Sequence, residues 1–104
     1  MVQDIRAARL GDRIWHEPIV TGSVIEGSDD TYGSAPDVKL AHVTAEVVCA
    51  WHPIPHNQIE TGARNSLVRG VHGTDQRAAV DGSVCTCGAT VIATAENTFF
   101  DGNV

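Results

Sequence analysis

The sequence of 104 residues is long enough for one domain, and with 42% hydrophobic but only 5% aromatic residues it excludes a large multi-domain enzyme. Seven Lys and Arg against thirteen Asp and Glu leave a formal net charge of −6, which gives no electrostatic reason to bind phosphate backbones or anionic lipid, so no nucleic-acid partner is expected. The opening stretch MVQDIRAARLGD carries Asp4 and Asp12 and no apolar core of signal-peptide length, and no run approaches the ~18 apolar residues of a membrane span, so a soluble chain without a cleaved leader is expected.

In chain order, β-branched or alternating runs at 19–25, 43–48, 66–71 and 89–95, each bounded by Gly, Asp, Asn or Pro, predict short strands. The last alternates best: Ala89, Val91 and Ala93 would face one side and Thr90, Ile92 and Thr94 the other. The best helical window, 38–48, places Val, Thr and His where a helix prefers Ala, Leu, Glu or Lys, and it carries little weight. The predicted class is all-β.

The chain also repeats itself, in segments of about 5–33, 38–73 and 77–104. Arg6-Ala7-Ala8-Arg9-Leu10-Gly11-Asp12 is followed by His16 and then Ile19-Val20-Thr21-Gly22. Leu40-Ala41-His42-Val43-Thr44-Ala45-Glu46 is followed by Cys49, His52 and His56 and then Ile59-Glu60-Thr61-Gly62. Arg77-Ala78-Ala79-Val80-Asp81-Gly82 is followed by Cys85 and Cys87 and then Val91-Ile92-Ala93-Thr94. Landmarks at Thr21, Thr61 and Thr94 give a loose period of roughly 35 residues, inside the range of repeat proteins. If a pseudo-three-fold axis relates the copies, their His and Cys residues converge on it, as a four-ligand metal site requires.

The odd count of three cysteines argues against a complete disulfide framework, although one bridge plus one thiol remains compatible with it. Five histidines and the tight groups Cys49/His52/His56 and Cys85/Cys87 point to a structural metal, the kind of staple a thin-cored domain needs. In His52-Pro53-Ile54-Pro55-His56 the prolines forbid a helix but stiffen a turn that can aim both rings inward. Cys49, in Val-Val-Cys-Ala, reads as a small buried hydrophobe, with replacement of a predicted ligand by Cys49 or Cys85 left open. Cys85 and Cys87 can ligate singly or together, in the second case displacing His56 or His16; a bridge between them would have poor geometry. His42 stands where the repeat expects an arginine and His72 reads as a turn residue, so neither is favoured as a ligand; Trp15 and Trp51, just before His16 and His52, read as shields over the ligands or as ordinary core aromatics. Asp12, Asp81, Gly22 and Gly62 read as turn residues, and Arg6, Arg9 and Arg77 as partners of those acids or of another protein.

RAARLGD with its following histidine and IVTGS, the return as RAAVDG, and Cys87-Gly88 near the third turn resemble the PAAR-repeat proteins, over about residues 5–102. Ile5 stands where that family has the first residue of its Pro-Ala-Ala-Arg motif. The resemblance implies a small β cone that caps a trimeric β-helical spike, one copy per trimer, in a phage tail, a type VI secretion system or a related injection particle. It implies a tip assembled in the cytoplasm that meets a target membrane and can carry a separately encoded effector. It further implies a structural zinc (or iron) near the apex, with His16, His52, His56 and Cys87 as the ligands by match to the family's positions, and no catalysis. A small metalloenzyme or redox domain built on the same cluster is the main alternative, since it needs only an open coordination position. A zinc ribbon would want two Cys-x-x-Cys knuckles, which the chain lacks.

Overall fold

The computed structural model describes residues 4–28, 31–33, 38–52, 57–63, 66–70, 73–94 and 98–101. Among them there is no helix: the weak helical window becomes a short strand, a turn and a second strand. The strands are β1 (Asp4–Arg6), β2 (Arg13–His16), β3 (Ile19–Val24), β4 (Tyr32–Gly33), β5 (Val38–Lys39), β6 (Glu46–Cys49), β7 (Asn57–Gln58), β8 (Leu67–Arg69), β9 (Asp75–Arg77), β10 (Thr90–Ile92) and β11 (Phe99–Asp101).

At the centre three alanines close a ring of main-chain hydrogen bonds. Ala8 N–H donates to Ala79 O at 3.0 Å, Ala79 N–H to Ala41 O at 3.0 Å, and Ala41 N–H to Ala8 O at 2.9 Å. Bridge pairs Ala7 with Val80, Leu40 with Arg9, and Ala78 with His42 surround it. All three ring alanines are fully buried. Three backbones bonded in a circle leave space for a methyl group and little more, which is why small residues recur here.

The same turn follows each ring alanine. Asp12 N–H donates to Arg9 O, Ala45 N–H to His42 O, and Ser83 N–H to Val80 O, each at 3.0 Å. The residues before those donors, Gly11, Thr44 and Gly82, have φ of 91°, 75° and 85°. Glycine reaches this region freely; Thr44 holds it against its own branched side chain.

Beyond the turns the chain runs out and back. β2 returns as β3, β6 as β7, and residues 84–87 as β10. The five-stranded sheet β10-β2-β3-β6-β7 curls into a half-barrel, antiparallel throughout. Its two outer strands are joined through 84–86, where Ile59, next to β7, bridges Cys85 and Val84 bridges Thr90 of β10.

Inside lies a core of Ile14, Val24, Val47, Ile59, Cys85 and Val91 with several alanines. Ala89, Val91 and Ala93 point into it, as the alternation of that run requires, whereas Thr94 is exposed. Burying one such Val or Ile contributes roughly 1.5–3 kcal/mol. On the other side of the ring a smaller cluster of Leu40, Val68, Val80 and alanines, with Ile5 against it, is flanked by three two-stranded sheets: β1-β11, β4-β5 and β8-β9.

Two glycines read as turn residues are close-approach residues instead. Gly22 lies within β3, and a Cβ there would stand 1.7 Å from Val48 O. A Cβ on Gly62 would stand 2.5 Å from Ala78 O.

Candidate metal centre

The residue eight positions after each ring alanine is His16, Cys49 and Cys87. His16 ends β2, Cys49 ends β6, and Cys87 follows the 84–86 segment. Their ligand atoms all lie within 4.8 Å of one another, and Cys49 Sγ is 3.4 Å from His16 Nε2. Cys49 is 3% exposed; His16 and Cys87 are half-buried.

Local structure holds each ligand. Gly22 pairs with Ile14 on one side and Cys49 on the other, so β3 carries both arms at close range. Ala50 N–H donates to Thr21 O at 2.7 Å, which fixes the chain just past Cys49. Gly88, with φ of 91°, turns the chain after Cys87, and its N–H donates to Cys85 O at 2.9 Å.

Trp51 stacks on the His16 ring, with centroids 4.9 Å apart and planes 13° from parallel. The indole, itself exposed, covers one face of the His16 ring. His52 stands beside the same imidazole, its centroid 5.4 Å away and tilted by 56°. Its N–H donates to Cys49 O at 3.1 Å, closing the turn that brings both rings to one end of the molecule.

The three thiols differ by their surroundings. Burial raises the Cys49 pKa, but hydrogen bonding with Thr21, His16, the Trp51 backbone and Cys87 outweighs it and brings the thiol to about 7. Cys87 is pushed up, first by burial and then by Cys49, against the lowering effect of backbone hydrogen bonds at Ala89 and Cys87. Cys85 is pushed up to about 12 by burial and by the charges of Cys87 and Cys49.

Of the four ligands carried over from the family, His16 and Cys87 meet in this cluster. His52 adjoins it, and His56 lies outside the described residues. The third member is Cys49, buried in the core as expected, with its sulfur also within reach of the other two donors. The equal spacing from the alanines was the available signal. Cys85 is a core residue. His42 is fully buried with Nδ1 2.7 Å from Val43 O, and His72 lies outside the described residues. Asp12 is buried and accepts hydrogen bonds from Arg9 N–H at 2.8 Å and from the Thr94 hydroxyl at 2.5 Å. It ties the turn after Ala8 to the chain at Thr94.

One imidazole nitrogen and two sulfurs form a borderline-soft donor set that suits zinc, with iron a further candidate. Zn–S bonds of about 2.3 Å and Zn–N bonds of about 2.0 Å place tetrahedral ligand atoms roughly 3.5 Å apart. The group therefore fits after a small contraction. No family model matches this chain, and no curated protein does.

Proposed function

We propose that this protein is a metal-stapled, PAAR-like tip that caps a three-fold spike in a contractile injection machine. The observation that carries the reading is that three residues, each eight positions beyond a ring alanine, bring His16, Cys49 and Cys87 within 4.8 Å of one another. The closed Ala8-Ala79-Ala41 ring and the three like turns support a chain of three copies around a pseudo-three-fold axis. The metal, zinc by its donor set, sits at the far end of the half-barrel on His16, Cys49 and Cys87, with His52 as the fourth ligand. A closed shell of this kind stabilises the fold and leaves no position for substrate.

The opposite end supports docking. Tyr32, Leu67 and Phe99 are exposed on β4, β8 and β11, and each pairs with a cation: Lys39, Arg77 and Arg6 in turn. The Arg6 guanidinium lies 5.9 Å from the centre of the Phe99 ring. Three apolar knobs with three cations at corresponding places suit a partner that repeats its own surface three times. The short edge strands offer backbone for β-addition.

The test is sedimentation of the protein with a trimeric β-helical spike from the same genome. One chain bound per trimer is expected. A stable homotrimer of this chain, or no binding, contradicts the reading.

A second reading, a small metal-dependent enzyme, is favoured by one feature: a half-open cavity of about 440 Å³ lined by Thr21, Val47, Cys49, Ala50 and Asn57. The absorption spectrum of the cobalt-substituted protein separates the two. A spectrum insensitive to added azide or cyanide fits a closed shell, and one that shifts fits an open position.

A further inference from the structure

Two of the three donors at the candidate metal centre are thiols. Cys49 and Cys87 end separate arms, and their sulfurs lie within 4.8 Å of each other. Cys87 is the more accessible of the two, and Gly88 beside it belongs to a tight turn. We propose that Cys49 and Cys87 form an oxidation site, closed by hydroperoxide into an intrachain disulfide that releases the metal. The inference rests on the metal reading above only for the release; the disulfide follows from the placement of the sulfurs.

The chemistry balances with hydrogen peroxide as the oxidant. The Cys87 sulfur attacks one peroxide oxygen, the O–O bond breaks, and a sulfenic acid and one water result. The Cys49 sulfur then attacks the sulfenic sulfur; the S–O bond breaks and hydroxide leaves with the thiol proton as a second water. Two thiols have lost two protons and two electrons, and one peroxide has become two waters. The sulfurs need to close to about 2.05 Å, a movement the Cys87 turn is placed to absorb. A disulfide sulfur is a far weaker ligand than a thiolate, so His16 and His52 alone would be left to hold the ion. Cys85 competes poorly: it is buried in the core, and its spacing from Cys87 strains a bridge.

The experiment treats the full chain carrying Cys85→Ala with hydrogen peroxide, both zinc-loaded and zinc-stripped. The expected result is an intact mass lower by two hydrogen atoms and a thiol-reversible link between tryptic peptides 40–64 and 78–104. The loaded sample should release its zinc to a chromogenic chelator over the same time course. Cys49→Ser and Cys87→Ser should each abolish the link. Should Cys85→Ala fail to fold, fragment ions that separate residues 85 and 87 in the wild-type peptide give the same readout. Peroxide that adds oxygen to sulfur without linking the peptides, or links them only between chains, overturns the proposal. Zinc uptake by the reduced protein is measured separately. A link without zinc uptake removes the metal reading and keeps the thiol pair, whereas zinc uptake without a link removes the pair alone.

Discussion

Gly22 of β3 lies opposite Cys49 of β6, and a methyl group on residue 22 would fall 1.7 Å from the carbonyl oxygen of Val48. The absence of a side chain at one position is thus what lets the second arm lie close enough to bring its sulfur to His16. Gly22→Ala should push β3 and β6 apart and destabilise the protein by about 3 kcal/mol, as overpacking does elsewhere. Thermal melting and zinc titration on the same preparation check it: both should fall together.

Thr44 sits at φ 75° in a turn whose counterparts carry Gly11 and Gly82. Holding a β-branched residue in this region costs about 1–2 kcal/mol, partly offset by the entropy a glycine loses on folding. Thr44→Gly should therefore stabilise the protein by roughly 0.5–1 kcal/mol, read as a rise in melting temperature of about 3–5 °C. A lower melting temperature would show that the threonine side chain contributes more than the strain removes.

The all-β class was legible because Gly, Asp and Asn interrupt the chain before any helical stripe can form. The run 89–95 revealed its buried face through simple alternation. The segments around Ala8, Ala41 and Ala79 were singled out in the sequence and meet in one ring of main-chain bonds, yet the chosen landmarks do not hold like places after them. Main-chain bonds tie Gly11 to Val24, Thr44 to Ile59 and Gly82 to Val91, so Thr21 lies three residues before its return residue, and Thr61 and Thr94 two and three after theirs. The arms return through loops of unequal length, which blurs any fixed period. Cys49 drew little attention because a lone cysteine in an apolar run looks like core, which it also is; only counting from Ala8, Ala41 and Ala79 puts it level with His16 and Cys87. Gly22 and Gly62 were misread because close approach between strands leaves no local sequence signal.

Cys85 occupies the core place that Ile14 and Val47 hold after the other two ring alanines. Its thiol pKa is raised from 9.0 to about 12. The folded state thus holds the proton more tightly than the unfolded one, and that contribution is present below pH 9.0 and lost as pH rises toward 12. Cys85→Val should leave neutral-pH stability within about 1 kcal/mol and make the protein less sensitive to alkali. Denaturant melts at pH 7 and pH 10 measure it. Zinc stoichiometry should be unchanged, and its loss would return Cys85 to the ligand set.

Tyr32, Leu67 and Phe99 are exposed, so replacing them with serine should shift the free protein's stability by no more than about 0.5 kcal/mol. If these residues meet the spike, each substitution should weaken binding about tenfold. Titration of the spike trimer with each variant, alongside its melting curve, separates a docking role from a folding one.

X-ray absorption of the zinc-loaded protein tests most directly whether the three arms meet at one ion. Two sulfurs at about 2.3 Å with nitrogen at about 2.0 Å are predicted for His16, Cys49 and Cys87 completed by His52. A shell of one sulfur and three nitrogens, or of oxygen alone, would contradict it.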